Sequence, residues 1–162
     1  MVAFATLAAC SGATPSTTVS LTVPATTPPS AQLPDGEMFA WVKGLTGDGL
    51  LIDPAEILTG TEAVAAAVED GVIEEGDTLD TDFYIRDVND VTSLMAAAPE
   101  ATYSLLLFTE GTPTPTEVGV EEFTEALEGA NPDVYGVVEG IIPATVTIRD
   151  GMVTDVAQFY LP

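Results

Sequence analysis

Nine carboxylates fall within residues 69–90, and they are the side chains of this sequence best spaced to do chemistry. Calcium takes about six to eight oxygen ligands, and Asp or Asn at alternate positions of a tight loop can supply them. Asp80, Asp82, Asp87, Asn89 and Asp90 have that character and form a candidate calcium site. The EF-hand spacing is absent, because no glycine stands at the sharp-turn position and no glutamate closes the loop. A solvated acidic loop is the plainer reading of the same residues. Paired carboxylates also act as acid and base in glycoside hydrolysis when they stand about 5–9.5 Å apart. With 26 acids in the chain, some pair meets that separation by chance. A carboxylate-only hydrolase is therefore a minor alternative, and the expectation is that the chain is not an enzyme.

Other chemistries are closed by composition. The sequence holds no histidine and one cysteine, Cys10. Ser-His-Asp and Cys-His catalysis, histidine-ligated zinc and the usual near-neutral proton shuttle all need an imidazole. A single thiol makes no internal disulfide, so the fold is held by packing. Apart from calcium, no cofactor is expected.

The acids face three bases, Lys43, Arg86 and Arg149, for a formal net charge of −23. Phosphate backbones are bound chiefly through Lys and Arg, so nucleic acid is excluded as a partner. Electrostatic docking on anionic lipid is excluded on the same ground. The acidity reads as a solvating coat that keeps the protein dispersed. Hydrophobic residues make up 46% of the chain, enough for a core, yet they come in runs far shorter than the roughly 18 that span a bilayer.

The N-terminus points to a membrane by another route. Residues 2–9 are a short apolar stretch ending in Leu7-Ala8-Ala9-Cys10, followed by Ser11-Gly12. This resembles the lipobox of bacterial lipoproteins. The resemblance implies that the Cys10 sulfur is acylated, that cleavage follows Ala9, and that the mature chain is held on the outer face of the cytoplasmic membrane. Two or three acyl chains, as that family carries, anchor stably where one does not. No Lys or Arg precedes the apolar stretch, so residues 1–10 read as a truncated signal peptide. Residues 11–34 contain ten Ser or Thr, five Pro and no charge. Such a composition buries too little apolar surface to offset its ordering entropy. Residues 11–35 therefore read as a Ser/Thr/Pro-rich tether, and 36–162 as one acidic globular domain.

Within the domain, Met38–Val42 is a β-prone run, and the glycines at 44, 47 and 49 suggest a turn into a strand at Leu50–Ile52. Asp53-Pro54 reads as its stop, with Asp53 capping a short helical turn. Thr59 and Glu62 have capping-box spacing ahead of Ala63–Val68, with Gly71 at the helix end. Phe83–Ile85 and Tyr103–Phe108 read as strands and Gly111–Pro115 as a loop. Residues 119–128 read as a second helix with Val120, Phe123 and Leu127 on one face. Ala144–Ile148 alternates like a strand, Asp150-Gly151 signals a hairpin, and Met152–Leu161 returns as a last, central strand. The fold expected is α+β and mainly β: a small curved antiparallel sheet, or an open OB-like barrel, of about six strands with two short helices.

Several segments resemble a group of secreted or lipid-anchored actinobacterial proteins: Leu51-Ile52-Asp53-Pro54-Ala55, Thr59-Gly60-Thr61-Glu62-Ala63, Glu69-Asp70-Gly71, residues 82–87 and residues 150–162. The resemblance covers most of residues 38–162. It implies export and a single domain, and it carries no activity. Trp41, Tyr84, Tyr135, Phe159 and Tyr160 either line a binding groove or belong to the core, the commoner place for aromatics in strands. Arg86, isolated among acids, is expected to pair with a neighbouring carboxylate. The function expected is a lipid-anchored envelope protein whose domain binds another envelope component or a small ligand, with a calcium-stabilised module as the alternative.

Overall fold

The computed structural model describes residues 33–87, 91–109, 112–137 and 140–161. The lipobox residues Leu7, Ala8, Ala9 and Cys10 lie outside the described residues, as do Asn89 and Asp90 of the acidic loop. No helix among the described residues is long and apolar enough to cross a membrane.

Among the described residues the domain has eight strands and three helices: β1 (Gly36–Thr46), β2 (Gly49–Thr59), α1 (Gly60–Glu69), β3 (Phe83–Asp87), β4 (Ser93–Met95), β5 (Ala97–Thr109), β6 (Thr112–Val118), α2 (Val120–Leu127), α3 (Pro132–Tyr135), β7 (Ile142–Arg149) and β8 (Met152–Gln158). The strands form one open sheet in the order β3-β2-β1-β7-β8-β5-β6, with β4 also on β2. The mainly-β α+β class is as expected. The sheet has more strands than the sequence signals, and its β5–β8 pair is parallel where an antiparallel sheet was expected. A hairpin partner is set by the turn between two strands. The β5–β8 neighbours are instead brought together across 42 residues of intervening chain, which no local signal records.

Three differences from expectation have physical causes. Asp53-Pro54 does not end β2; the strand runs through to Thr59. Pro54 falls between the β4 pairing at residues 50–52 and the β3 pairing at residues 55–59, where the outer side of β2 has no ladder for a missing N–H to interrupt. Pro113 and Pro115 likewise sit in β6, a strand rather than a loop, because β6 is an edge and an edge tolerates proline. The short helix α3 follows Asn131 and had no helical periodicity to announce it.

Thr59 precedes α1 as expected, but its side chain makes no capping hydrogen bond. β7 alternates buried Ile142, Ala144, Val146 and Ile148 with half-buried Pro143, Thr145 and Thr147. Asp150 and Gly151 turn the chain into β8 with φ of 52° and 72°, the left-handed pair that a tight hairpin requires. Both turn amides donate to the Asp35 carboxylate at 3.0 Å, which ties the start of the domain to this hairpin. One face of the sheet carries the core: Ala40, Val42, Leu50, Ile52, Leu105, Val146, Val153 and Val156 pack beneath Phe123, Ala126 and Leu127 of α2. Val120 begins the same helix but stays exposed. Residues of opposite parity, including Trp41 of β1, Leu106 and Phe108 of β5 and Pro143 of β7, turn to the other face.

Candidate functional site

On that second face lies a cleft of about 500 Å³, within the range of small-molecule sites. Its floor follows from the register of the sheet. Trp41 of β1 stands across from Asp53 of β2 on one side and Pro143 of β7 on the other. The chain leaves β8 so that the Phe159 amide bonds the Pro143 carbonyl at 2.7 Å, which carries Phe159, Tyr160 and Leu161 alongside. Leu106 and Phe108 of β5 form the opposite wall, with Gly136 after α3 and Ile141 before β7.

The aromatic rings brace one another. Phe39 meets Trp41 edge-on at 5.7 Å and Phe159 edge-on at 5.4 Å, while Phe108 and Tyr160 lie 6.1 Å apart. Such contacts fix ring orientation as well as burying area. Gly136 has φ +60°, and a Cβ placed on it would lie 2.6 Å from the Phe108 ring. The cleft thus depends on a residue without a side chain at this point.

Among the described residues, two charged ones line the cleft, Lys43 and Asp87. The β1–β2 register shifts between Val42 and Gly44, so Lys43 is the extra residue of a β-bulge, a device that re-aims a side chain. Its Nζ forms a short ion pair with Asp53 Oδ2. The Asp53 side chain is 5% exposed and that of Lys43 39%, so the cation sits at the surface end of the pair and the carboxylate at the buried end. Asp53 Oδ1 is buried with no hydrogen-bond partner among the described residues.

The five aromatics singled out in the sequence divide. Trp41, Phe159 and Tyr160 line the cleft. Tyr135 is buried and donates to Glu122 Oε1 at 2.7 Å, a bond that, with desolvation, raises its hydroxyl above the ordinary value. Tyr84 lies elsewhere, in a cluster that joins α1 to β3. There Arg86 donates to Glu69 Oε2 at 2.9 Å and to Asp70 Oδ1 at 2.6 Å, and the Tyr84 hydroxyl donates to Asp70 Oδ2 at 3.1 Å. The Arg86 bond holds the Asp70 carboxyl below its usual range. Burial, then the Asp70 bond, pushes Tyr84 up. Arg86 therefore pairs as expected and clamps helix to strand. Leu106, Phe108 and Lys43 were not foreseen as site residues. For Leu106 and Phe108 the signal is the unbroken apolar run at 105–108, since a strand apolar on both sides has two faces to cover.

Of the candidate calcium ligands, Asp80, Asp82 and Asp87 fall among the described residues, and these three are not drawn together. Asp80 and Asp82 are exposed in the loop before β3, whereas Asp87 ends that strand and turns to the cleft. Five strand residues at ~3.3 Å each put about 16 Å between Asp82 and Asp87. Two ligands of one ion with bonds of about 2.5 Å stand far closer. Among the described residues, no three His, Cys, Asp or Glu side chains are grouped to hold a metal ion. A second hollow, of about 650 Å³, lies where Thr59–Val64 meets Thr78–Asp82, and among the described residues neither an aromatic nor a cation lines it.

No protein-family model, no curated protein and no solved structure matches this chain.

Proposed function

We propose that this protein is an exported, lipid-anchored envelope protein whose acidic domain binds a small, largely apolar ligand in the cleft between Trp41 and Tyr160. The observation that carries the binding role is the wall of that cleft. Trp41, Phe108, Phe159 and Tyr160 converge around a concave space of about 500 Å³ beside one cation, Lys43. Small-molecule sites have this build: mostly apolar and aromatic walls, with few polar groups to orient the ligand. Tyr160 stays 46% exposed at the rim. A binding role is favoured over catalysis because the polar groups at hand are an ion-paired ammonium and carboxylates, with no imidazole in the chain to move a proton near neutrality. The location rests on the Leu7-Ala8-Ala9-Cys10 motif and the uncharged Ser/Thr/Pro-rich stretch behind it. Acylation of Cys10 would hold the domain at the outer face of the cytoplasmic membrane, and the negative surface would keep it off nucleic acid and anionic headgroups.

Titration with the neutral fluorophore N-phenyl-1-naphthylamine tests the binding role. The expected result is enhanced, blue-shifted emission that saturates near one probe per chain. The double variant Phe159→Ala/Tyr160→Ala should lose most of it. Absence of enhancement, or enhancement untouched by the double substitution, would overturn the proposal.

A further inference from the structure

We infer that the cleft selects an uncharged, flat molecule bearing a hydrogen-bond acceptor, and discriminates against the same molecule as a carboxylate. This rests on reading the cleft as a binding site and names the class of ligand. Flatness follows from the walls. Trp41 and Phe159 are braced by Phe39, and Phe108 and Tyr160 by each other, so the four offer fixed ring faces and edges, and planar ligands gain most from offset and edge-on contact with such rings.

The acceptor follows from Lys43. An ammonium has three donors, and Asp53 Oδ2 takes one. The side chain is 39% exposed and lines the cleft, so its other donors can reach a ligand oxygen there. Neutrality follows from Asp53. Its carboxylate is almost fully buried, depends on Lys43 for compensation, and already has one oxygen with no partner among the described residues. A ligand carboxylate would compete for the same ammonium, weaken the compensation of Asp53, and enter beside Asp87 in a chain of net charge −23. Stripping a buried charge of its partner is strongly unfavourable. A ligand hydroxyl, carbonyl or ether oxygen accepts an N–H from Lys43 without displacing Asp53. A cationic ligand, though drawn by Asp87 and the net charge, is repelled by Lys43 from the place where a ligand oxygen would sit.

Three probes sharing one ring system separate these cases: 2-naphthalenemethanol, 2-naphthoate and 2-naphthylmethylammonium. Trp41, the sole tryptophan, reports each by fluorescence quenching. The alcohol should quench saturably with a Kd at least tenfold below that of the carboxylate, and below that of the ammonium. Raising salt to 0.5 M should narrow the gap to the carboxylate by screening the net charge. A carboxylate bound as tightly as the alcohol overturns the selectivity while leaving the cleft a binding site. Failure of all three to quench Trp41 overturns the binding reading itself.

Discussion

Lys43→Met should be among the most damaging single changes at the surface of this domain, and the structure fixes both its size and its rescue. The substitution keeps the side chain's length but removes the charge that faces Asp53. Breaking a buried ion pair by deleting one partner costs about 3–5 kcal/mol, because the remaining charge is left uncompensated in a poor solvent. Here the Lys43 end is 39% exposed and water reaches it, so the cost falls to about 2–3 kcal/mol. Folded domains are stable by about 5–15 kcal/mol, so this is a large share. At a urea m-value of about 2 kcal/mol per molar, the midpoint drops by roughly 1–1.5 M. Asp53→Leu should behave differently. It removes the buried carboxylate together with Oδ1, which has no partner among the described residues, and Lys43 can turn to water, so the cost stays within about 1 kcal/mol. The double variant Lys43→Met/Asp53→Leu should then be more stable than Lys43→Met alone by about 1–2 kcal/mol. Urea unfolding followed by far-ultraviolet circular dichroism measures all four proteins. Equal losses for the two single variants, or a double variant no better than Lys43→Met, would refute the claim that Asp53 is the buried end of the pair.

Gly136→Ala puts a Cβ 2.6 Å from the Phe108 ring on a backbone at φ +60°, so it should lower Tm by about 4–8 °C and weaken probe binding as Phe108 is pushed into the cleft. A variant with unchanged affinity would mean that Phe108 yields away from the cleft. Burial raises the Tyr103 hydroxyl above its usual value near 10, so its contribution is fully present below about pH 10 and is lost as pH rises through the folded value. Tyr103→Phe should therefore flatten the alkaline limb of the stability profile, as thermal melts between pH 9 and 12 would show. With a net charge of −23, raising sodium chloride from 0.05 to 0.5 M should increase Tm, because screening relieves self-repulsion more than it weakens the Arg86 ion pairs; a fall in Tm would contradict this. Cys10→Ser should abolish incorporation of a fatty-acid probe and release the protein from membranes, and retained labelling would refute acylation at that sulfur.

The sequence was most informative where signals were local. The alternation at 144–148 and the Asp150-Gly151 turn point to a hairpin, because strand parity and left-handed turn residues are properties of a few neighbouring positions. Phe123 and Leu127 fell on the buried face of α2 for the same reason. Prolines misled, since their cost depends on which side of a strand is paired, and that is known only once β3, β4 and β6 are placed. The site was half legible. Trp41, Phe159 and Tyr160 stood out by type, but Lys43 reads as an ordinary surface charge until its bulge and Asp53 are seen together. Asp87 was noted for its carboxylate and grouped with sequence neighbours. The strand between carries it away from Asp82 and into the cleft.

The most direct measurement is the indole N–H resonance of Trp41 in a ¹H–¹⁵N spectrum during titration with 2-naphthalenemethanol. Occupation of the cleft shifts that single resonance saturably, together with the amides of Phe159 and Tyr160, while Gly71 and Gly76 beyond α1 stay in place. If the α1 side moved and the Trp41 indole did not, ligand binding between Trp41 and Tyr160 would be contradicted.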